Sequence, residues 1–215
     1  MSIPFFVSRL VHPVHALGPG SRAGIWTQGC GIGCPGCVAQ DTWGRPAGSR
    51  SDVDAVLAWL AALPWPELDG VTISGGEPTD QPEALQALLA GVGELKADFG
   101  QVDILLYTGR SAEWVLSDGR PIVDGADAVM ADPFVGAEAG WLPLRGSDNQ
   151  RLLALTRLGS ARYLDSPLPD RRKVQVDVVD GEVRMIGIPT PGALTKLTEQ
   201  AEAAGLHLRG TSWRR

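Results

Sequence analysis

Apolar positions along the chain fall into short runs and helical stripes that take turns. Ala23-Gly-Ile-Trp-Thr-Gln-Gly29 reads as a short strand running into a loop. Over 51–63 the pattern is helical, with Ser51 or Asp52 as cap and Val53, Val56, Leu57, Leu60 and Leu63 on one stripe. A buried strand over 70–74 ends in Gly75-Gly76. The spacing then predicts a helix over 82–98, a strand over 102–107, a short helix over 111–116 and a strand over 126–130.

Strands alternating with helices predict parallel β/α units, in which ligands bind beyond the C-terminal ends of the strands. The glycine-rich and polar segments sit at those ends: Cys30 after the first strand, Gly75-Gly76-Glu77-Pro78 after the second, Thr108-Gly109 after the third and Asp132 after the fourth. Beyond Gly140 the pattern changes. A helix is predicted over 149–158, a mobile loop over 158–172, a hairpin of 173–179 and 182–188 across Asp180-Gly181, and a closing helix over 192–204. The hairpin breaks the alternation, so the expected fold is α/β: a partial, incomplete β/α barrel of parallel strands with a C-terminal β-hairpin and helix. At 215 residues it is expected to be one domain, with a core over 15–155 and an extension over 156–215.

Composition adds little to this. Apolar residues make up 44% and charged residues 20%, ordinary values for a globular chain. No run reaches the roughly 18 apolar residues of a membrane span, and the N-terminus lacks a signal peptide's basic-then-apolar order. A cytoplasmic location without membrane association is expected, and the net charge of −6 argues against a nucleic-acid partner.

The cysteines change the picture. There are three, all within residues 30–37, where a disulfide framework would use an even number spread along the chain. In Cys30-Gly-Ile-Gly-Cys34-Pro-Gly-Cys37, each thiolate can reach a different iron of one cuboidal cluster, and Gly31, Gly33 and Gly36 let the backbone curl around the sulfides. Three ligands for four irons leave one iron open to a cofactor or substrate. Structural zinc is the competing reading, with His12, His15 or His207 as fourth ligand, though none lies at a zinc-finger spacing. In Gly75-Gly76-Glu77-Pro78, the glycines permit close approach of a ligand and Glu77 can accept from an ammonium group; a plain turn before the next helix is the alternative.

The cysteine loop followed by Gly-Gly-Glu-Pro resembles the radical S-adenosylmethionine (SAM) superfamily. The segments Gly24-Ile-Trp-Thr-Gln-Gly-Cys30, Asp41-Thr-Trp43, Leu105-Leu-Tyr-Thr-Gly109 and Leu144-Arg-Gly-Ser-Asp-Asn-Gln-Arg151 narrow this to the anaerobic ribonucleotide reductase activating proteins and other glycyl-radical-enzyme activases. The resemblance implies a [4Fe–4S] cluster on Cys30, Cys34 and Cys37. It implies SAM on the open iron, held through Gly75, Gly76, Glu77 and Pro78, with Thr108 and Asp132 as candidate contacts or, alternatively, turn and capping residues. It implies reductive cleavage of SAM to a 5′-deoxyadenosyl radical, with no catalytic side chain beyond the cluster and SAM.

The implied partners are a glycyl radical enzyme and an electron donor such as flavodoxin or ferredoxin. Many members carry an aromatic residue just before the third cysteine, near the adenine; here that residue is Gly36, which leaves adenine packing to other residues. Arg145, Ser147, Asn149 and Gln150 could line the active site or cap a following helix through Ser147 or Asp148. Trp26 and Trp43 are expected to pack around the cluster. Two other readings stay open. One is a radical SAM enzyme acting on a small metabolite or ribosomal peptide, with Arg157, Arg162, Arg171, Arg172, Arg184 and Arg209 in a substrate-binding extension. The other is a non-catalytic zinc-binding interaction protein.

Overall fold

The computed structural model describes residues 2–168, 174–179, 182–205 and 211. β1 (Pro4–Val14) runs antiparallel to β2 (Arg22–Thr27) and, on its other edge, to the short β3 (Arg50–Asp52). β4 (Gly70–Gly75), β5 (Asp103–Tyr107) and β6 (Ala128–Ala131) follow β2 in parallel, and β7 (Arg151–Ala154) returns antiparallel to β6. The result is one seven-stranded sheet of order β3-β1-β2-β4-β5-β6-β7, mixed but with a parallel centre. Its architecture is α/β.

The helices α1 (Val53–Ala61), α2 (Pro82–Leu95) and α3 (Ala112–Leu116) connect strands as the stripes predict. Asp52 caps α1 by accepting the Ala55 N–H at 2.8 Å, and Ser111 caps α3 through the Trp114 N–H at 3.1 Å. Val56, Leu60, Leu85, Leu88 and Leu89 pack on Ile25, Val71, Ile73, Ile104, Leu106 and Val129 of the sheet. Each such side chain contributes about 1.5–3 kcal/mol on burial. Because strand side chains alternate, Leu105 and Met130 face the other way, toward Leu144 and Tyr163.

That second face also holds a fully buried cation. Arg22 meets Asp103 at 2.9 Å, donates to Thr72 Oγ1 at 2.6 Å and to the Val71 carbonyl at 2.9 Å, while the Tyr163 hydroxyl donates to Asp103 at 2.5 Å. Every strong partner is satisfied, as a buried ion pair requires.

Two expectations for the later chain are corrected. The predicted helix over 149–158 is instead β7, paired Met130↔Leu152 and Ala131↔Arg151, followed by α4 (Arg157–Tyr163). The predicted loop over 158–172 begins inside α4, which Thr156 caps through the Gly159 N–H at 3.1 Å and Tyr163 anchors in the core; residues 169–172 lie outside the described residues. The hairpin is present as β8 (Val174–Val179) against β9 (Glu182–Gly187), and α5 (Ala193–Ala203) follows; the turn at Asp180-Gly181 lies outside the described residues. Ile186 seats the hairpin against Val14, Leu17 and Trp26. β1, which no sequence pattern announced, supplies the antiparallel edge on which β2 rests.

Candidate active site

At the C-terminal end of β2 the chain turns into the cysteine loop, and backbone hydrogen bonds clasp the loop shut. The Gly29 N–H donates to the Thr42 carbonyl at 2.7 Å, the Cys30 N–H to Trp43 at 3.1 Å, and the Gln28 amide to the Asp41 and Gly44 carbonyls at 2.9 and 2.7 Å. The Asp41-Thr-Trp43 motif is therefore the far half of the clasp. Cys30, Cys34 and Cys37 are free, half-buried, and line one cavity that opens to solvent. Burial pushes the Cys34 and Cys37 thiols up, opposed by the backbone N–H groups of Phe134 at Cys34 and Ala39 at Cys37. Neither His12 nor His15 lines this cavity, and His207 lies outside the described residues. Among the described residues no three His, Cys, Asp or Glu side chains converge on a single ion.

Gly75-Gly76-Glu77-Pro78 leaves β4 beside the clasp. A Cβ on Gly76 would fall on the Gly29 carbonyl, and the Glu77 N–H donates to that same carbonyl at 2.8 Å. Gly76 is thus glycine because the entry to the cysteine loop crosses it. Glu77 is 1% exposed. Its Oε1 accepts from Thr79 N at 3.0 Å, Thr79 Oγ1 at 2.6 Å and Thr108 Oγ1 at 2.7 Å, and its Oε2 from Gly109 N at 2.8 Å. All four donors are neutral, and among the described residues no cationic side chain forms an ion pair with Glu77. The nearest cation among these contacts is Arg110, which reaches Glu77 only through Thr79 Oγ1 at 3.4 Å. A carboxylate so placed is stabilised by hydrogen bonds without a direct ion pair beside the cavity, where a cationic ligand fits.

Thr108 and Asp132 are both at the cavity, with their polar groups largely engaged by protein. Thr108 links β5 to Glu77. Asp132 takes a left-handed backbone at φ 79°, one that Asp tolerates better than most residues. It accepts from Ala112 N at 3.1 Å, Arg151 Nη2 at 2.8 Å and Arg151 Nε at 2.6 Å. The Arg151 guanidinium holds the Asp132 carboxyl below its usual range, and holds the exposed Glu113 down to about 2. Asp132 therefore accepts the first N–H of α3, beside the Ser111 cap, and ties the helix to β7.

The 144–151 motif clamps the segment after β6. Gln150 donates to the Asp132 carbonyl at 3.0 Å, Asn149 to the Pro133 carbonyl at 2.9 Å, and the Val135 N–H to Ser147 Oγ at 3.0 Å. Of the polar cluster Arg145, Ser147, Asn149 and Gln150, Gln150 lines the cavity. Neither Ser147 nor Asp148 caps a helix, because β7 follows.

Trp43 lines the cavity, as expected of a flanking aromatic; Trp26 does not, and packs instead with Val14, Leu17 and Ile186. Arg162 donates to the Asp69 and Gln101 carbonyls beside the N-terminal ends of β4 and β5, at the opposite pole from the cavity. Arg171, Arg172 and Arg209 lie outside the described residues.

Comparison with known proteins identifies the family. A family model described as a 4Fe-4S single cluster domain matches residues 16–153. The chain belongs to this family. The anaerobic ribonucleoside-triphosphate reductase-activating protein of Vibrio cholerae is 30% identical over 136 residues, 62% of this chain and 87% of that protein. Its namesake in Enterobacteria phage T4 is 31% identical over 144 residues, 65% and 87%. The pyruvate formate-lyase-activating enzyme of Clostridium pasteurianum is 36% identical over 87 residues, 37% and 36%. Among solved structures, QueE from Escherichia coli aligns with TM-score 0.41 and 17% identity, covering 50% of this chain and 54% of that one. The chain is a radical SAM enzyme whose cofactors are a [4Fe–4S] cluster and SAM.

Sequence reasoning missed three residues here. Asp80 accepts the Gly31 N–H at 2.6 Å, Arg110 pairs with Asp80 at 2.8 Å, and Phe134 forms a cavity wall. Asp80 lies two residues after the Gly-Gly-Glu-Pro motif and Arg110 directly after Thr-Gly, and that proximity was the available signal. Phe134 had none.

Proposed function

We propose that this protein is an activase: it cleaves SAM at a cluster held by Cys30, Cys34 and Cys37 and generates a glycyl radical on a partner enzyme. The observation that carries this reading is the convergence of three free thiols and the buried Glu77 carboxylate on one solvent-open cavity at the strand ends. When bound, the cluster and SAM supply reductive cleavage of the sulfonium and abstraction of a hydrogen atom from substrate. The chain's residues do the rest. The clasp of 28–30 with 41–44 holds the thiols on one wall, the Gly75–Pro78 turn presents backbone to the amino group of SAM, and Glu77 offsets its positive charge. Thr108 and Asp132 contribute their ends of β5 and β6 as further wall.

In this reading the sheet is part of an incomplete β/α barrel within a single domain of residues 1–215, and the solvent-open cavity admits a loop of the partner. The names of the relatives support a glycyl radical enzyme as that partner. A flavodoxin or ferredoxin is the fitting electron donor, and a cytoplasmic setting is the one in which the three thiols stay reduced.

The test is anaerobic. Reconstituted protein should hold about four irons and four sulfides per chain, as one cubane cluster requires. Given SAM, reductant and the cognate partner, it should release 5′-deoxyadenosine and methionine and leave an EPR doublet on the partner that collapses when its glycine is deuterated at Cα. Product formed only with a metabolite or precursor peptide, with no persistent protein radical, would reject the activase reading. Retention of the cluster's thiolate-to-iron absorbance in Cys30→Ala, Cys34→Ala or Cys37→Ala would reject the ligand assignment.

A further inference from the structure

Phe134 is a half-buried ring on the segment after β6, and it lines the same cavity as the three cysteines and Gly75-Gly76. Two glycines make room for it. A Cβ on Gly36 would lie 3.4 Å from Phe134 Cε1, and one on Gly146 would lie 2.9 Å from Phe134 Cδ2. The ring therefore stands over the backbone just before Cys37, in the space that a side chain at position 36 would otherwise approach. Its backbone is not free to drift, because Gln150, Asn149 and Ser147 hold residues 132, 133 and 135.

The other aromatic residues lining the cavity have polar ends already engaged. The Tyr107 hydroxyl donates to the Leu144 carbonyl at 3.2 Å, and the Trp43 side chain hydrogen-bonds the Cys37 thiol. Phe134 offers a plain hydrocarbon face, and among the described residues no aromatic ring stacks on it. A flat apolar face with no hydrogen-bonding demand suits a planar nucleobase, since every base has a π-face and stacking on an aromatic side chain tolerates any of them.

We infer that Phe134 is the adenine-packing residue of the SAM site, filling from the β6–β7 segment the place left open by Gly36. This rests on the reading of the cavity as the SAM site. Removing the ring should weaken SAM binding without disturbing the cluster, whose ligands lie on a separately clasped loop.

The experiment uses reconstituted holoprotein under anaerobic conditions, with iron content and cluster absorbance measured first and SAM affinity then read from the SAM-induced change in the cluster's EPR signal. Phe134→Ala and Phe134→Leu should bind SAM about tenfold more weakly or worse, as loss of one stacked base predicts. Phe134→Tyr and Phe134→Trp should stay within about threefold of wild type, because the π-face is kept. Wild-type affinity in Phe134→Leu would show that volume rather than a ring is needed, and would overturn the inference. So would loss of the cluster in all four variants, since the residue would then act through the cysteine loop. Failure of wild-type holoprotein to bind SAM would instead reject the underlying reading of the cavity, and the inference with it.

Discussion

Asp80 holds Gly31 by accepting its backbone N–H at 2.6 Å, across the gap between the turn after β4 and the cysteine loop. The other carboxylate oxygen of Asp80 meets Arg110 at 2.8 Å, and the Arg110 guanidinium lies 5.7 Å from the centre of the Trp114 ring. The segments that follow three neighbouring strands, β2, β4 and β5, are thereby fastened through one carboxylate. Asp80 thus helps to position the loop that carries the thiols by holding its backbone.

Asp80→Ala leaves the Gly31 N–H and Arg110 without this acceptor. A hydrogen bond to a charged group contributes about 1.5–3 kcal/mol, and the half-exposed Arg110 end adds little because solvent screens it. The expected outcome is a folded protein that loses its cluster several-fold faster than wild type on dilution, with Asp80→Asn in between. Iron content and cluster absorbance followed over time make the check; equal decay rates would remove Asp80 from this role.

Gly76→Ala separates two explanations of one glycine. If the residue is small to admit SAM, the variant keeps its fold and cluster and loses only SAM affinity. The overlap of its Cβ with the Gly29 carbonyl predicts a different result: overpacking of about 1–3 kcal/mol at the entry to the cysteine loop. The metal-free protein should melt roughly 2–10 °C lower, and reconstitution should yield less cluster. Thermal denaturation and iron analysis on the same preparation distinguish the cases.

The parts of the fold that were legible in the sequence are those with local causes. The stripe from Val53 to Leu60 and its Asp52 cap announce α1, and the run ending in Gly75 announces β4. The two chemical motifs were legible for the same reason, each being contiguous. What the sequence hid depends on distant partners. Leu152-Leu153-Ala154-Leu155 suits a helix as well as a strand, and only pairing with Val129 and Met130 makes it β7. Glu77 looks in sequence like a ligand contact; its hydrogen bonds to Thr108 and Gly109 depend on β4 and β5 lying side by side. Phe134 meets Gly36 and Gly146 only because three loops end at the same pole.

The Asp132–Arg151–Glu113 cluster predicts an acid-sensitive clamp. Arg151 lowers both carboxyls in the folded protein, so the unfolded chain binds more protons as pH falls and stability drops with them. The contribution is fully present above the unfolded carboxyl range near 4 and is lost as pH falls through the lower folded values. Arg151→Met removes the shift. The melting temperature of wild type should exceed that of the variant at pH 7, and the gap should narrow below about pH 4. A gap independent of pH would mean that Arg151 stabilises β7 by packing alone.

Glu77→Gln tests whether the buried carboxylate serves by charge or by shape. The amide has nearly the same outline, so no cavity forms. It has only one oxygen, however, and the carboxylate's two oxygens accept from four donors. With the amide oxygen turned to Thr79 and Thr108, the amide NH₂ faces the Gly109 N–H, donor against donor. An unsatisfied buried group of this kind costs about 1–3 kcal/mol, which predicts a modest fall in melting temperature for the metal-free protein. The charge argument predicts something further. SAM is cationic at its ammonium and sulfonium groups, and Glu77 is the carboxylate beside the cavity whose hydrogen-bond partners are all neutral. Neutralising it should weaken SAM binding beyond what the stability loss explains, while the cluster still assembles because the three thiols are untouched. The paired measurement is SAM affinity by EPR perturbation on holoprotein of matched iron content, at low and high salt. Wild-type affinity in Glu77→Gln, with only the melting temperature lowered, would make Glu77 a brace between β4 and β5 and nothing more.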